Sequence, residues 1–466
     1  MEPHSETRIA TCISDLRPKE RRMTFAGLAS DSREVRPGWL FAALPGARND
    51  GGAFIAEAVR RGAVAVLGDP RLRTQAEALG VRFIADANPR RRLAIIAAEH
   101  FGAQPDIVAA VTGTNGKTSV SVFLRQIWER LGYRAASMGT IGLVDSQGTM
   151  PLHHTTPDAI ALHRLLCELH GAGVEHLALE ASSHGLDQFR LDGVRVTAAA
   201  FTNLTHDHLD YHGDFAHYLA AKLRLFRELV VDDGLAVVNA DGCQAGHFIE
   251  AARARSLHVM TVGEHGETMR LAARKPGPDS QQLEILYDGK TWSVTLPLVG
   301  TFQASNTLVA AALAIGLGDS AEAVFPALQA LKGAPGRLEK VACARSGAPI
   351  YVDFAHTPDA LEAVLHALRP HVQGRLHLVF GCGGDRDKAK RPVMGAIAAR
   401  LADVVIVTDD NPRGENPAEI RVAILASCPE AREIGDRAEA IRSGVAALQS
   451  GDVLVIAGKG HESGQI

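Results

Sequence analysis

Two spacings of apolar residues alternate along this chain. The run PDIVAAV is apolar at nearly every position, which suits a strand buried on both faces, and it passes through a glycine-rich turn into a helix expected from about Ser119 to Leu131. Nearer the start, SDSREVRPGWLFAAL and FIAEAVRRGAVAVLG predict a short strand, an amphipathic helix and another strand. Strand and helix signals continue to alternate up to GAPGRLEKV, where Gly333, Pro335 and Gly336 mark a linker. Beyond it PIYVDF, RLHLVFGCGG, DVVIVTDDNPR and DVLVIAGKG each place a β-rich apolar run before a polar loop containing Gly or Asp. Such alternation predicts an α/β protein with mostly parallel sheet, in which ligands gather at the carboxyl ends of the strands. No short-period repeat or low-complexity tract interrupts the pattern.

At 466 residues the chain exceeds one ordinary core, and domain statistics favour about three domains. The pattern places a small α/β domain at 1–103, a central nucleotide-binding domain at 104–335 and a third domain at 336–466. A hydrophobic content of 46% beside 22% charged residues is that of a soluble globular protein, and a net charge of -4 offers no global basic field for nucleic acid. Acidic ligands must then be met by local Arg and Lys. The aliphatic stretch Leu308 to Leu317 reads as a buried helix, since it is far shorter than the roughly 20 residues a bilayer requires. Met1 to Arg8 carries acid and no apolar core, so a secretory signal is not expected and the cytoplasm is the expected location. The six cysteines (Cys12, Cys167, Cys243, Cys343, Cys382, Cys428) form no CxxC pair, which argues against a disulfide framework and a structural zinc site. The basic run Arg90, Arg91, Arg92 reads as a solvated helix start.

The segment TGTNGKTS comprises Thr112, Gly113, Thr114, Asn115, Gly116, Lys117, Thr118 and Ser119, and it falls at a strand-to-helix junction. There, successive backbone N–H groups and the helix dipole favour phosphate. Lys117 would reach the β and γ phosphates of ATP, and the Thr118 hydroxyl offers magnesium a hard oxygen. The strict GxxxxGK[ST] spacing fails because Val111 stands where the first glycine belongs, so the turn must close through Gly113 and Gly116.

Downstream, His206, Asp207, His208, Asp210 and His212 crowd within seven residues. A metallohydrolase HxHxDH signature is nearly met, but Tyr211 holds the last His position and His212 comes one too late. Beside a phosphate loop, one histidine holding magnesium is the favoured reading over a two-zinc site. Glu180 ends the apolar run HLALE, where a carboxylate suits either a metal or water ligand or a helix cap.

Taken in order, TGTNGKTS, LEASSHGLDQFR, FTNLTHDHLDYHG, AAKLRLF, GRLE, DFAHTPDAL, GCGGDRDKAKRP, DNPR and GKGHE resemble the Mur ligase superfamily from end to end. The resemblance implies a UDP-substrate-binding first domain, a central P-loop ATP-binding domain and a Rossmann-like third domain that receives the amino acid. It implies an ATP-dependent amide ligase of peptidoglycan synthesis, with UDP-N-acetylmuramoyl dipeptide, meso-diaminopimelate and ATP as partners, Mg2+ as cofactor, and a monomer with no nucleic-acid or membrane partner. Lysine-adding and folate-glutamating sister ligases are the rivals nearest to it. Ser32 and Arg33, with a loop around Arg48 and Asn49, would meet the uridine nucleotide; Thr155, Thr156, Ser182, Gln188 and Arg190 would hold the muramoyl-peptide end. Asn306, Arg337, Asp353 and His356 match ATP contacts, with Gln303 departing from the usual Asn. Lys117, Glu180, His208 and Lys222 match catalytic positions, the last as a carbamate, and Thr118, Glu180, His208 and Lys222 match metal positions. Read from the residues alone, Lys222 would pass for an exposed lysine on an amphipathic helix.

For the amino acid the resemblance implies Arg386, Asp410, Asn411, Pro412, Arg413, Gly458 and Glu462. The distal carboxylate of diaminopimelate suits the bidentate fork of Arg413, with Arg386 and Glu462 completing the clamp and Glu462 taking the ammonium. A lysine substrate would present only an ammonium there and be repelled. The chain stops at GKGHESGQI, where relatives continue, so the third domain is expected to be cut short.

Overall fold

The protein is described here by a computed structural model covering residues 25–46, 50–205, 209–385, 387–460 and Gly464. By packing, the chain forms two compact units. The first runs to Gly113 and takes in Arg134–Ala236 and Gly246–Val259; the second holds Thr114–Tyr133, Val237–Ala245 and the described residues from Met260 onward.

Within the first unit, β1 (Gly27–Ala29), β2 (Trp39–Ala43), β3 (Ala65–Gly68) and β4 (Arg82–Ala85) form a parallel sheet in sequence order. Side chains alternate across a strand, so Phe41 and Ala43 enter one buried cluster while Leu40 and Ala42 enter another on the opposite face. The helix Pro89–Phe101 begins where the Asn88 side chain accepts from the Arg91 amide with Pro89 in the first turn, and it ends at left-handed Gly102. Its basic start is less solvated than expected, because Arg92 is buried and Arg91 pairs with buried Asp192 at 3.1 Å.

The same unit carries β5 (Ile107–Thr112), β6 (Ala135–Gly139), β7 (Gly142–Asp145), β8 (Gly148–Met150), β9 (His176–Glu180) and β10 (Val196–Phe201). β5 lies parallel between β10 and β9, which explains why its sequence shows no polar alternation: both faces are covered. In this register Val111 pairs with Glu180 and Thr112 with Phe201, so the carboxyl ends of three strands come level.

β11 (Val230–Asn239) and β12 (His258–Gly263) follow. In the second unit β12 pairs with β13 (Met269–Pro276), which continues antiparallel through β14 (Gln281–Tyr287) and β15 (Lys290–Leu296). The expected aliphatic helix is Thr301–Gly316, almost wholly buried. No described helix is long and apolar enough to cross a membrane. A six-stranded sheet follows the linker, built from β16 (Glu339–Cys343), β17 (Pro349–Asp353), β18 (Leu376–Phe380), β19 (Val404–Val407), β20 (Arg432–Glu433) and β21 (Val453–Ala457). Its order is β16-β17-β21-β18-β19-β20, parallel except for the β16–β17 edge. Tyr351, Leu378 and Val455 pack on one face; Ile350, Val379 and Leu454 pack on the other. Asp353 and Ala457 are paired, as are Phe380 and Val407, so the loops after these strands emerge along one edge. Among the described residues the cysteines are free, Cys382 and Cys428 being buried, and Cys12 lies outside them.

Candidate active site

The loop after β5 turns through two glycines. Gly113 has φ 151°, and a Cβ there would sit 1.9 Å from Thr202 Oγ1 and 3.0 Å from the Asn203 carbonyl oxygen. Gly116, at φ 87°, caps the helix Lys117–Arg130, which begins two residues earlier than the periodicity suggests. Lys117 Nζ donates to the Thr114 carbonyl at 2.8 Å, folding its amine back over the loop. Thr118 and Ser119 are buried in the first helical turn, Thr112 is buried at the strand end, and Asn115 is exposed.

At the end of β9, Glu180 is buried with 2% of its surface exposed. Its Oε1 accepts from the Thr140 amide at 2.8 Å and its Oε2 from the Thr140 hydroxyl at 3.1 Å. Among the described residues both donors are uncharged. Glu180 does not cap the next short helix: that cap is Ser182, whose Oγ accepts from the Gly185 amide at 3.0 Å. Thr156 donates to the Glu180 carbonyl at 2.7 Å and accepts from the Ser182 amide at 3.1 Å. Thr155 and Thr140 hydroxyls meet at 3.1 Å. Arg190 donates to the Thr156 carbonyl at 2.6 Å and to Gln188 Oε1 at 2.8 Å; Gln188 then donates to the Tyr211 hydroxyl at 3.0 Å, which donates to Asp187 at 2.8 Å. Five residues that the resemblance implies for the peptide end thus fall into one network next to Glu180.

Lys222 is not an exposed lysine. It lies on the helix Phe215–Arg224, capped by Asp214, and is 1% exposed, with Nζ donating to the Gly113 carbonyl at 2.7 Å and lying 4.7 Å from the Tyr218 ring centroid. This places its nitrogen against the start of the phosphate loop. Ser32 donates to Glu57 at 2.9 Å, while exposed Arg33 forks onto Asp31. His206, Asp207 and His208 lie outside the described residues, as do Arg48 and Asn49; among the described residues no group of three His, Cys, Asp or Glu side chains could hold a metal.

In the second unit the linker and helix Thr301–Gly316 share an amide chain. Asn306 Nδ2 donates to Gln303 Oε1 at 3.3 Å and Gln303 Nε2 to the Arg337 carbonyl at 3.0 Å. The Gln303 amide, where the resemblance expects Asn, thus bridges Asn306 and the Arg337 carbonyl. Arg337 lies over the Phe354 ring at 4.6 Å, and exposed His356 contacts the Phe354 carbonyl at 2.9 Å. Asp353 accepts from the amides of Leu338 at 2.7 Å and Ala355 at 2.8 Å.

Burial pushes the Asp353 carboxyl up from its ordinary 3.8 to about 6, against the opposing pull of Arg337. The folded state therefore holds an extra proton between those values, and the stability linked to it is present below pH 3.8 and lost as pH rises through about 6. Asp353→Asn does not titrate, so its stability relative to the native chain should rise by about 2.5 kcal/mol between about pH 4 and pH 7. Urea unfolding of both proteins checks this, and a difference that stays flat with pH would count against it.

The DNPR loop follows β19. Asp410 is buried; Lys459 Nζ lies 3.7 Å from Asp410 Oδ1 and donates to Asn411 Oδ1 at 2.8 Å. Gly458, at φ 102°, approaches the Asp410 carboxylate so closely that a Cβ would lie 2.9 Å from it. Arg413 follows Pro412, is exposed, adopts φ 51°, and donates from Nη1 to the Gly384 carbonyl at 2.7 Å. Arg386 and Glu462 lie outside the described residues. Thr140, Tyr211, Phe354 and Lys459 are the additions that sequence reading missed. Lys459 was the most accessible of these, being a cation two residues past a strand end within GKGHE.

A glycine-closed loop leaving a buried parallel strand, with a lysine opening the helix that follows it, defines a phosphate-loop nucleotide-binding protein of the α/β class. Three family models match in succession: the Mur ligase family, catalytic domain, at 24–101; the Mur ligase middle domain at 111–314; and the Mur ligase, glutamate ligase domain, at 336–460. The chain belongs to the Mur ligase family. It is 57% identical over 455 residues to the UDP-N-acetylmuramoyl-L-alanyl-D-glutamate–2,6-diaminopimelate ligase of Bradyrhizobium diazoefficiens, covering 97% of this chain and 93% of that one. It is 53% identical to the ligase of the same name from Caulobacter vibrioides, covering 97% and 94%. A solved structure of a ligase with that name superposes with a TM-score of 0.74 at 35% identity, covering 97% of this chain and 92% of that chain.

Proposed function

We propose that this protein is an ATP-dependent, ADP-forming ligase that adds meso-2,6-diaminopimelate to the D-glutamyl γ-carboxylate of UDP-N-acetylmuramoyl-L-alanyl-D-glutamate. The observation that carries the reading is the phosphate loop in a chain kin over nearly its whole length to ligases named for that reaction. The γ-carboxylate attacks the γ-phosphorus of ATP, its bond to ADP breaks, and an acyl phosphate forms. The amine of diaminopimelate then attacks the activated carbonyl, inorganic phosphate leaves, and the amine's proton is released. No side-chain nucleophile is required, so the protein contributes positioning and charge.

Lys117 would meet the β and γ phosphates, and the loop from Thr112 to Ser119 would surround them with N–H groups. Magnesium, when bound, supplies positive charge to phosphate oxygens. The donors fit it, since Thr118 offers a hydroxyl and Glu180 a buried carboxylate met only by uncharged described donors. His208 and Lys222 would join Glu180 in that role, Lys222 as its carbamate, because the bare ammonium would repel a cation. Asn306, Arg337, Asp353 and His356 would hold the remainder of ATP. Ser32, Arg33, Thr155, Thr156, Ser182, Gln188 and Arg190 would hold the nucleotide-linked dipeptide. Arg386, Asp410, Asn411, Pro412, Arg413, Gly458 and Glu462 would receive the amino acid. We place the domain limits at 1–103, 104–335 and 336–466, in keeping with the family-model spans, and assign the enzyme to the cytoplasm as a monomer.

The test is phosphate release from ATP with the muramoyl dipeptide and, in parallel, diaminopimelate, lysine or glutamate. Release and a new amide with diaminopimelate alone is the expected result. Preference for lysine or glutamate would refute the amino-acid assignment.

A further inference from the structure

Two loops at the carboxyl edge of the C-terminal sheet are tied together by a carboxylate that the reaction itself does not use. Glu415 stands two residues beyond Arg413. Its Oε1 accepts from the Asp385 amide at 2.6 Å and from Arg391 Nη2 at 2.9 Å; its Oε2 accepts from Arg391 Nη1 at 3.1 Å and pairs with Lys388 Nζ at 3.1 Å. A carboxylate has about four acceptor positions, and four donors are met here, three of them cationic N–H groups. Glu415 therefore has no capacity left for a substrate ammonium, and any effect it has on binding must pass through its neighbours.

Those neighbours lead directly to Arg413. The Gly384 amide donates to the Asn411 carbonyl at 2.9 Å, the Gly414 amide donates to Asp385 at 2.9 Å, and the Gly384 carbonyl receives Arg413 Nη1 at 2.7 Å. Arg413 and Asp385 both adopt left-handed backbone, at φ 51° each, a conformation that non-glycine residues hold only when their surroundings fix it. With the loop carrying Gly384 and Asp385 released, the guanidinium would lose its carbonyl anchor and both turns their restraint.

We infer that Glu415 is a positioning residue for amino-acid recognition: by clasping Asp385, Lys388 and Arg391 it fixes the loop after β18 against the DNPR turn and so sets the aim of the Arg413 fork. This rests on the diaminopimelate reading above. Arg391, then the Asp385 amide and Lys388, hold the Glu415 carboxyl down at about 2, so the clasp stays ionised throughout the neutral range.

The experiment is steady-state kinetics on the full chain with Glu415→Gln, which keeps the shape and removes the charge. Diaminopimelate-dependent phosphate release by the unaltered enzyme comes first, and its failure would strike the parent reading without bearing on the clasp. Given that activity, E415Q should raise the KM for diaminopimelate roughly ten- to a hundredfold, the effect of weakening charge-assisted hydrogen bonds, with the KM for ATP changed less than about twofold. In an Arg413→Ala background the same substitution should add less than about twofold, because its route of action is already gone. An unchanged KM for diaminopimelate, an equal rise in all three KM values, or the full effect persisting in the R413A background would each overturn the inference. Should E415Q give no folded protein by circular dichroism, Lys388→Met removes one exposed partner and should raise the diaminopimelate KM about threefold; no rise in that folded variant overturns it equally.

Discussion

Replacing Lys117 with alanine is expected to lower diaminopimelate-dependent phosphate release by about a thousandfold, the scale on which loss of one preorganised charge donor is felt in transition-state stabilisation. The side chain leaves the first residue of a helix whose N-terminus already favours anions, and its amine is held at the loop by the Thr114 carbonyl, 2.8 Å away. A phosphoryl group in transfer spreads its charge over three oxygens, so in the proposed role the ammonium would stabilise that state more than bound ATP. The loss should fall on kcat, with the helix and its buried face untouched. Single-turnover formation of ADP at saturating ATP is the appropriate measurement, and turnover within a few-fold of the unaltered enzyme would remove Lys117 from the chemistry.

Arg413→Ala should act differently. It removes a fork capable of two charge-assisted hydrogen bonds to the distal carboxylate, and the expected result is a KM for diaminopimelate raised about a hundredfold with kcat little changed. The barrier to lysine should fall at the same time, since the repelling guanidinium is gone. Competition between the two amino acids, read as the ratio of kcat/KM values, measures both effects. A drop in kcat with discrimination intact would mean that Arg413 serves the reaction and not the choice of substrate.

How much of this was legible in the sequence depends on how local each cause is. The helix after the phosphate loop, the buried aliphatic helix over Thr301–Gly316 and the apolar strands ending at Asp353, Phe380, Val407 and Ala457 follow from periodicity and bulk, both properties of neighbouring residues. The turn through Gly113 and Gly116 was legible too, because few other residues tolerate such backbone. What periodicity does not encode is partnership across the chain. Lys222 reads as a surface cation until the fold brings it to the Gly113 carbonyl, 109 positions away, and Thr140 gains its importance only by facing Glu180. Arg92 looked solvated in the sequence, and the fold buries it. Tyr211 first registered as an interruption of a histidine pattern; the fold gives its hydroxyl to Gln188 and Asp187. The resemblance to a known family supplied those long-range residues that it supplied at all, and it left Glu415 and Lys459 aside.

The crowding around Gly384 bears on any effort to retrain this protein toward another amino acid. A methyl group there would lie 2.0 Å from the Pro412 carbonyl oxygen, rigid backbone with nowhere to retreat. Libraries that diversify this glycine would mostly yield broken loops. Variation is better directed to the exposed side chain at 413, the position proposed to meet the amino acid, where each replacement gives up the hydrogen bond to the Gly384 carbonyl.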